Sequence, residues 1–117
     1  MFNFEKLQVW RKSIVLADLI YGLTRSFPVE ERFGLTSQMR RSAVSISSNL
    51  AEGSSRSSRT DFRRFIELAT GSAYELSSQS VIARNQGLLT EAAHQQIYHA
   101  ALEVVRMLSG LHDSLRD

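Results

Sequence analysis

Residues 34–65 read GLTSQMRRSAVSISSNLAEGSSRSSRTDFRRF. Six of the chain's 14 Lys and Arg residues fall in this stretch, and all six are Arg. From Ser42 to Ala51 the side chains are mostly small, with little bulk. A helix that is small and only weakly charged nearly all round gains too little by itself to be stable. It must be packed on more than one side. The stretch therefore predicts the centre of an all-helical bundle that also self-associates.

The flanking segments carry the matching pattern. Before the stretch, Val9, Ser13, Leu16, Ile20, Leu23 and Phe27 follow one another at alternating steps of four and three, with Trp10, Ile14, Ala17 and Tyr21 beside them. That is a wide apolar stripe on one helix, and Pro28 stops it. Within the stretch the seam is Met39, Ala43, Ile46 and Leu50, on a helix starting near Leu35 or Thr36. Gly53 is placed to end that helix in a left-handed cap, with an extra turn toward Arg56 left open. GSSRSS, residues 53–58, is the most loop-like segment. Ser58 and Asp61 resemble a capping box with Asp in place of Glu.

A third seam then runs through Phe62, Ile66, Ala69, Ala73, Leu76, Ser80 and Ala83 without a slip, on a helix about 40 Å long. Gly87 ends it. Thr90 caps a fourth helix, with the seam Ile97, Ala101, Val104, Leu108, Leu111 and Leu115. No segment alternates with period two, so no sheet is expected. Four helices with short connections predict an up-down-up-down four-helix bundle, one domain over residues 1–117.

Composition sets limits on function. There is no Cys, which excludes disulfides and thiolate metal sites. The N-terminus MFNFEKLQVWRKS lacks the apolar core of a secretion signal, and no apolar run approaches the roughly 18 residues of a membrane span. A soluble cytoplasmic protein with no membrane partner is expected. The net charge of +2 is small but unevenly placed. Residues 40–64 hold six Arg against Glu52 and Asp61, whereas residues 65–117 hold three basic and six acidic side chains. A basic middle can face a polyanion, or it can pair with the acidic half of the same or a neighbouring copy.

Catalytic patterns are absent. A di-iron bundle needs two Glu-x-x-His pairs and two further Glu. This chain has one such spacing, Glu91 to His94, in the first turn of a helix. It reads as a helix-start carboxylate and a surface histidine, so no metal and no cofactor are expected. There is no G-x-S-x-G, no G-x-G-x-x-G and no Walker pattern. Arg56, Arg59, Arg63 and Arg64 form the one functional signal, a basic loop and helix start able to neutralise phosphates. Against it, positive charge at a helix N-terminus opposes the dipole, and no exposed aromatic residue is interleaved for base stacking. Phe62 and Phe65 read as core. Glu52 and Glu75 read as carboxylates that pair with Arg40 or Arg41 within or between subunits rather than as acid–base groups.

FEKLQVWRKS, FPVEERFGLTSQMRRSAVSISSNLAEGSSRSS and DFRRFIELATGSAYELSSQ together resemble the 23S rRNA intervening-sequence proteins. The combination is carried by Val9-Trp10, Phe33 to Thr36, Arg40-Arg41, Asn49 to Gly53, Gly71-Ser72 and Glu75-Leu76. The resemblance implies an up-down bundle assembling as a ring-shaped homopentamer. It also implies similarity to the accessory proteins of diversity-generating retroelements, which are basic pentameric bundles working with a reverse transcriptase and nucleic acid. It brings no catalytic residues. The family commonly has Pro where this chain has Ser47, so a straighter second helix is expected. Arg40, Arg41, Asn49, Glu52 and Glu75 are assigned to assembly or structure. Two non-enzymatic readings stay open: an oligomer that binds RNA or DNA through Arg56, Arg59, Arg63 and Arg64, and an oligomeric scaffold for a protein partner.

Overall fold

The computed structural model describes residues 1–116. Apolar side chains spaced by three and four turn one stripe of each helix inward, and four helices result: α1 (Gln8–Thr24), α2 (Leu35–Ser54), α3 (Arg59–Asn85) and α4 (Glu91–Ser114). Two short 3-10 turns, Asn3–Lys6 and Val29–Glu31, precede α1 and α2. No strand occurs among the described residues. α1 packs on α2, α2 on α3 and α3 on α4, and α4 returns to α1, in a body of 46 × 21 × 20 Å. Among the described residues no helix is long and apolar enough to cross a membrane.

The seams of α2 and α3 lie where their spacing puts them. Met39, Ala43, Ile46 and Leu50 are buried, as are Ile66, Ala69, Ala73, Leu76, Ser80 and Ala83. Departures cluster at helix ends. In α1 the inward place after Ile20 is taken by Thr24, and Leu23 is only half-buried. An ideal helix drifts relative to a strict seven-residue repeat, so the position four along wins over the position three along. Of the second α1 seam only Ala17 is fully buried, and Tyr21 is exposed. Leu111 and Leu115 are half-buried. Phe65 rather than Phe62 is the more deeply buried ring. Phe2 stacks on Phe4 at 5.5 Å, and Phe4 meets Trp10 edge-on at 4.9 Å, yet Phe2 stays largely in solvent.

The helix ends follow local chemistry. Ser58 Oγ accepts from the Asp61 N–H at 3.1 Å, but the Asp61 carboxylate faces Arg64 at 3.6 Å, so an ion pair stands where the reciprocal half of a capping box would be. Thr90 Oγ1 accepts from the Ala93 N–H at 3.0 Å. Gly87, at φ +75°, ends α3: its N–H reaches Arg84 O and the Leu88 N–H reaches Ala83 O, the Schellman arrangement. At the start of α2 the Glu31 carboxylate accepts from the Leu35 N–H at 3.0 Å. α2 runs unbroken through Ser47, whose hydroxyl donates to Val44 O.

Gly53 corrects the expectation of a left-handed cap. It is buried inside α2, which continues to Ser54. Its role is close approach: a Cβ there would lie 2.7 Å from Phe65 Cβ and 3.0 Å from Phe62 Cδ1. His94 corrects the expectation of a surface histidine. One turn before Ile97, it continues the α4 seam inward and is buried, with Nδ1 2.7 Å from Ser80 Oγ of α3. Few polar side chains cross between helices in the interior, and this pair ties α3 to α4.

Two outcomes follow for urea unfolding of single variants. Gly53→Ala is destabilised by a net ~1–2 kcal/mol, because a Cβ 2.7 Å from Phe65 Cβ costs about 2–3 kcal/mol in overpacking, more than the ~1 kcal/mol that Ala gains over Gly in a helix. Gly22→Ala, where a Cβ meets nothing within 4 Å, gains up to ~1 kcal/mol. Equal midpoints for Gly53→Ala and wild type would rule out a rigid α2–α3 contact. Ser80→Ala strands the buried imidazole nitrogen and costs about 1–3 kcal/mol. Ser77→Ala, which removes only a bond to its own helix carbonyl, stays near wild type; equal losses in the two variants would remove the special role of the Ser80–His94 bond.

Candidate functional site

Four arginines surround the α2–α3 connection, and the structure divides them by partner. Arg56 lies at 2.7 Å from the Glu52 carboxylate, one helical turn back. Arg64 faces Asp61. Both guanidinium carbons also sit over the Phe65 ring, at 4.8 and 4.7 Å from its centroid. Arg59 is exposed and makes no ion pair or side-chain hydrogen bond among the described residues. Arg63 is half-buried, and its Nε is buried without a partner. Two carboxylates thus accompany four cations, and the uncompensated charge falls on Arg59 and Arg63, one helical turn apart.

Arg40 is drawn into the chain's own packing. Its Nε donates to Thr24 Oγ1 at 2.9 Å, and its guanidinium sits 4.5 Å from the Tyr21 centroid, so it ties α2 to α1. Asn49 Nδ2 donates to Ser45 O and Ser45 Oγ. Ser72 Oγ in turn donates to Ser45 Oγ at 2.9 Å, linking α3 to α2. Glu52 pairs with Arg56, so neither Arg40 nor Arg41 is its partner within the chain. Arg41 and Glu75 are exposed and form no ion pair among the described residues. They sit instead on the rim of a polar groove of about 350 Å3 between α2 and α3, shared with Gln38, Ser42, Ser45, Ser72 and Gln79. Gln79 Oε1 is buried there without a partner.

The Glu91-x-x-His94 spacing does not present one face. The Glu91 carboxylate accepts from Gln95 Nε2 at 3.0 Å and lies 3.3 Å from Arg84. The Gln95 bond first, then the Arg84 charge, hold its pKa below the ordinary carboxylate value. His94 points the other way, into the core. Neither Ser80 nor His94 lines the α1–α2, α2–α3 or α3–α4 groove. Among the described residues no three His, Asp or Glu side chains gather as a metal site would need.

Sequence reasoning passed over Gln38 and Gln79 and gave Ser72 no role of its own, because seam spacing weighs apolar positions and says nothing of polar ones beside the seam. It also passed over Arg32, and used Phe33 only as part of the family resemblance. A bulky ring outside every seam was the available signal: Phe33 is 87 % exposed, with the Arg32 guanidinium 5.5 Å from its centroid.

None of the curated proteins compared matches the chain. Among solved structures it is similar to a protein of unknown function from the S23 ribosomal protein family of Bacteroides thetaiotaomicron VPI-5482. The identity is 24% and the TM-score 0.78, covering 87% of this chain and 95% of that one, a likeness of fold. Residues 5–110 match the family described as 23S rRNA-intervening sequence protein. A match over most of the chain, onto an all-helical fold with the arginine and small-residue positions already in place, is decisive: the chain belongs to the 23S rRNA-intervening sequence protein family.

Proposed function

We propose that this protein is a non-catalytic, self-associating bundle of the cytoplasm that binds nucleic acid through Arg56, Arg59, Arg63 and Arg64. The observation that carries the reading is the pair Arg59 and Arg63, one turn apart at the α2–α3 connection and without carboxylate partners among the described residues. Phosphates supply what they lack. Arg56 and Arg64 can join them, because exposed ion pairs such as theirs contribute only about 0–1 kcal/mol and yield to a denser anion.

Self-association is supported by the groove between α2 and α3. Arg41 and Glu75 stand there with opposite charge and no ion-pair partner among the described residues, beside the orphaned Gln79 Oε1. A second copy offers the same surface and satisfies all three. Short connections and the return of α4 to α1 support the up-down-up-down arrangement, and the family resemblance supports a ring of five. In such a ring each copy adds its four arginines to one field. A protein scaffold is the second reading. It is favoured by a mostly apolar groove of about 220 Å3 between α3 and α4, lined by Tyr74, Tyr98, Leu102 and Val105 among others.

Titration of a labelled RNA at increasing salt separates the readings. Wild type binds at low salt and loses affinity steeply as salt rises. Arg59→Gln with Arg63→Gln weakens binding and flattens the slope of log K against log salt by about 1.4 for a single strand. Binding that ignores salt, or a double variant that binds as wild type does, would remove these arginines from the interface. No binding at low salt would favour the scaffold.

A further inference from the structure

A second charged surface lies beside the α1–α2 connection, away from Arg59 and Arg63. It is a groove of about 700 Å3 whose lining includes Tyr21, Arg32, Phe33, Arg40 and Arg41, with four Ser and Thr hydroxyls of α2. Among the described residues no carboxylate lines it. Glu31, the acidic residue next to Arg32, is committed to the first N–H of α2. Asp18, one turn before Tyr21, is not part of the lining.

Three features of this groove bear on what it holds. Its cations are uncompensated: Arg32, Arg40 and Arg41 form no ion pair among the described residues. Its aromatic rings face outward: Phe33 is 87 % exposed and Tyr21 39 %. Each ring already carries a guanidinium, Arg32 on Phe33 and Arg40 on Tyr21. The arginines at the α2–α3 connection differ on this point, because the ring under Arg56 and Arg64 is the buried Phe65. Cations track phosphates, and an exposed ring beside them gives an unpaired base a face to stack on, the combination found where single strands are bound. An acidic peptide would use the cations and leave Phe33 idle. A duplex offers phosphates but keeps its bases stacked on one another.

We propose that the α1–α2 groove binds single-stranded nucleic acid, with an unpaired base on Phe33 and neighbouring phosphates at Arg32 and Arg40. The proposal rests on the nucleic-acid reading above but uses different residues, so the two can fail separately.

The test compares a short labelled single-stranded RNA with a duplex of the same sequence, each titrated with the full-length protein. Wild type prefers the single strand. Phe33→Ala, at a position too exposed to disturb folding, weakens single-strand binding roughly ten-fold and leaves duplex binding unchanged. Arg32→Gln flattens the single-strand salt slope by about 0.7. Wild-type affinity in Phe33→Ala overturns the proposal, even if Arg59→Gln with Arg63→Gln abolishes binding. A change of native mass in the groove variants without RNA also overturns it, assigning the groove to a contact between copies. Loss of binding in the groove variants alone supports it.

Discussion

The close approach of α2 to α3 is the constraint on which the rest of the structure depends. Small residues make it: Ala43 of α2 and Ala69 and Ala73 of α3 are fully buried, and Gly53 lies where even a methyl group would strike Phe65. Small side chains bury little area each, so the helices gain by approaching closely and packing many atoms at contact distance. Hydroxyls fit the same narrow space. Ser72 bonds to Ser45 across the gap and to Leu68 O in its own helix, and Ser47 bonds to Val44 O, so none of these buried groups is stranded.

That packing decides where charge can go. A seam filled by Ala, Ser and Gly has no room for a guanidinium, so the six arginines of residues 34–65 lie on the outer faces of α2 and around the connection to α3. Two basic zones result, separated along α2 by about 20 Å at 1.5 Å per residue. One is compact and partly neutralised by Glu52 and Asp61. The other has no carboxylate in its lining among the described residues and keeps the Phe33 ring in solvent. Beside the second zone, the α2–α3 groove leaves Arg41 and Glu75 to be satisfied from outside the chain.

Much of the fold was legible because seam spacing is a direct consequence of helix geometry. The seams of α2 and α3 and the caps at Ser58, Gly87 and Thr90 could all be read from residue order. What could not be read depended on distances between helices. Gly53 signals a break in one dimension and a close contact in three, and only the position of Phe65 distinguishes them. His94 was read as exposed because Glu91 drew attention to metal spacing, although it stands one turn before Ile97 on the same face. Of the candidate site, the cluster of arginines was legible and its internal pairing in part. The groove at Tyr21, Arg32 and Phe33 was not, since it joins residues from α1, a connection and α2. The absence of an interleaved aromatic held for Arg56 to Arg64 and did not extend to these arginines.

Native mass spectrometry with and without a single-stranded RNA tests the central claim most directly, because it reads assembly and ligand class together. The account predicts species at multiples of the 13.2 kDa chain that gain the mass of RNA at low salt and lose it as salt rises. A 13.2 kDa monomer whose mass is unchanged by RNA would contradict it.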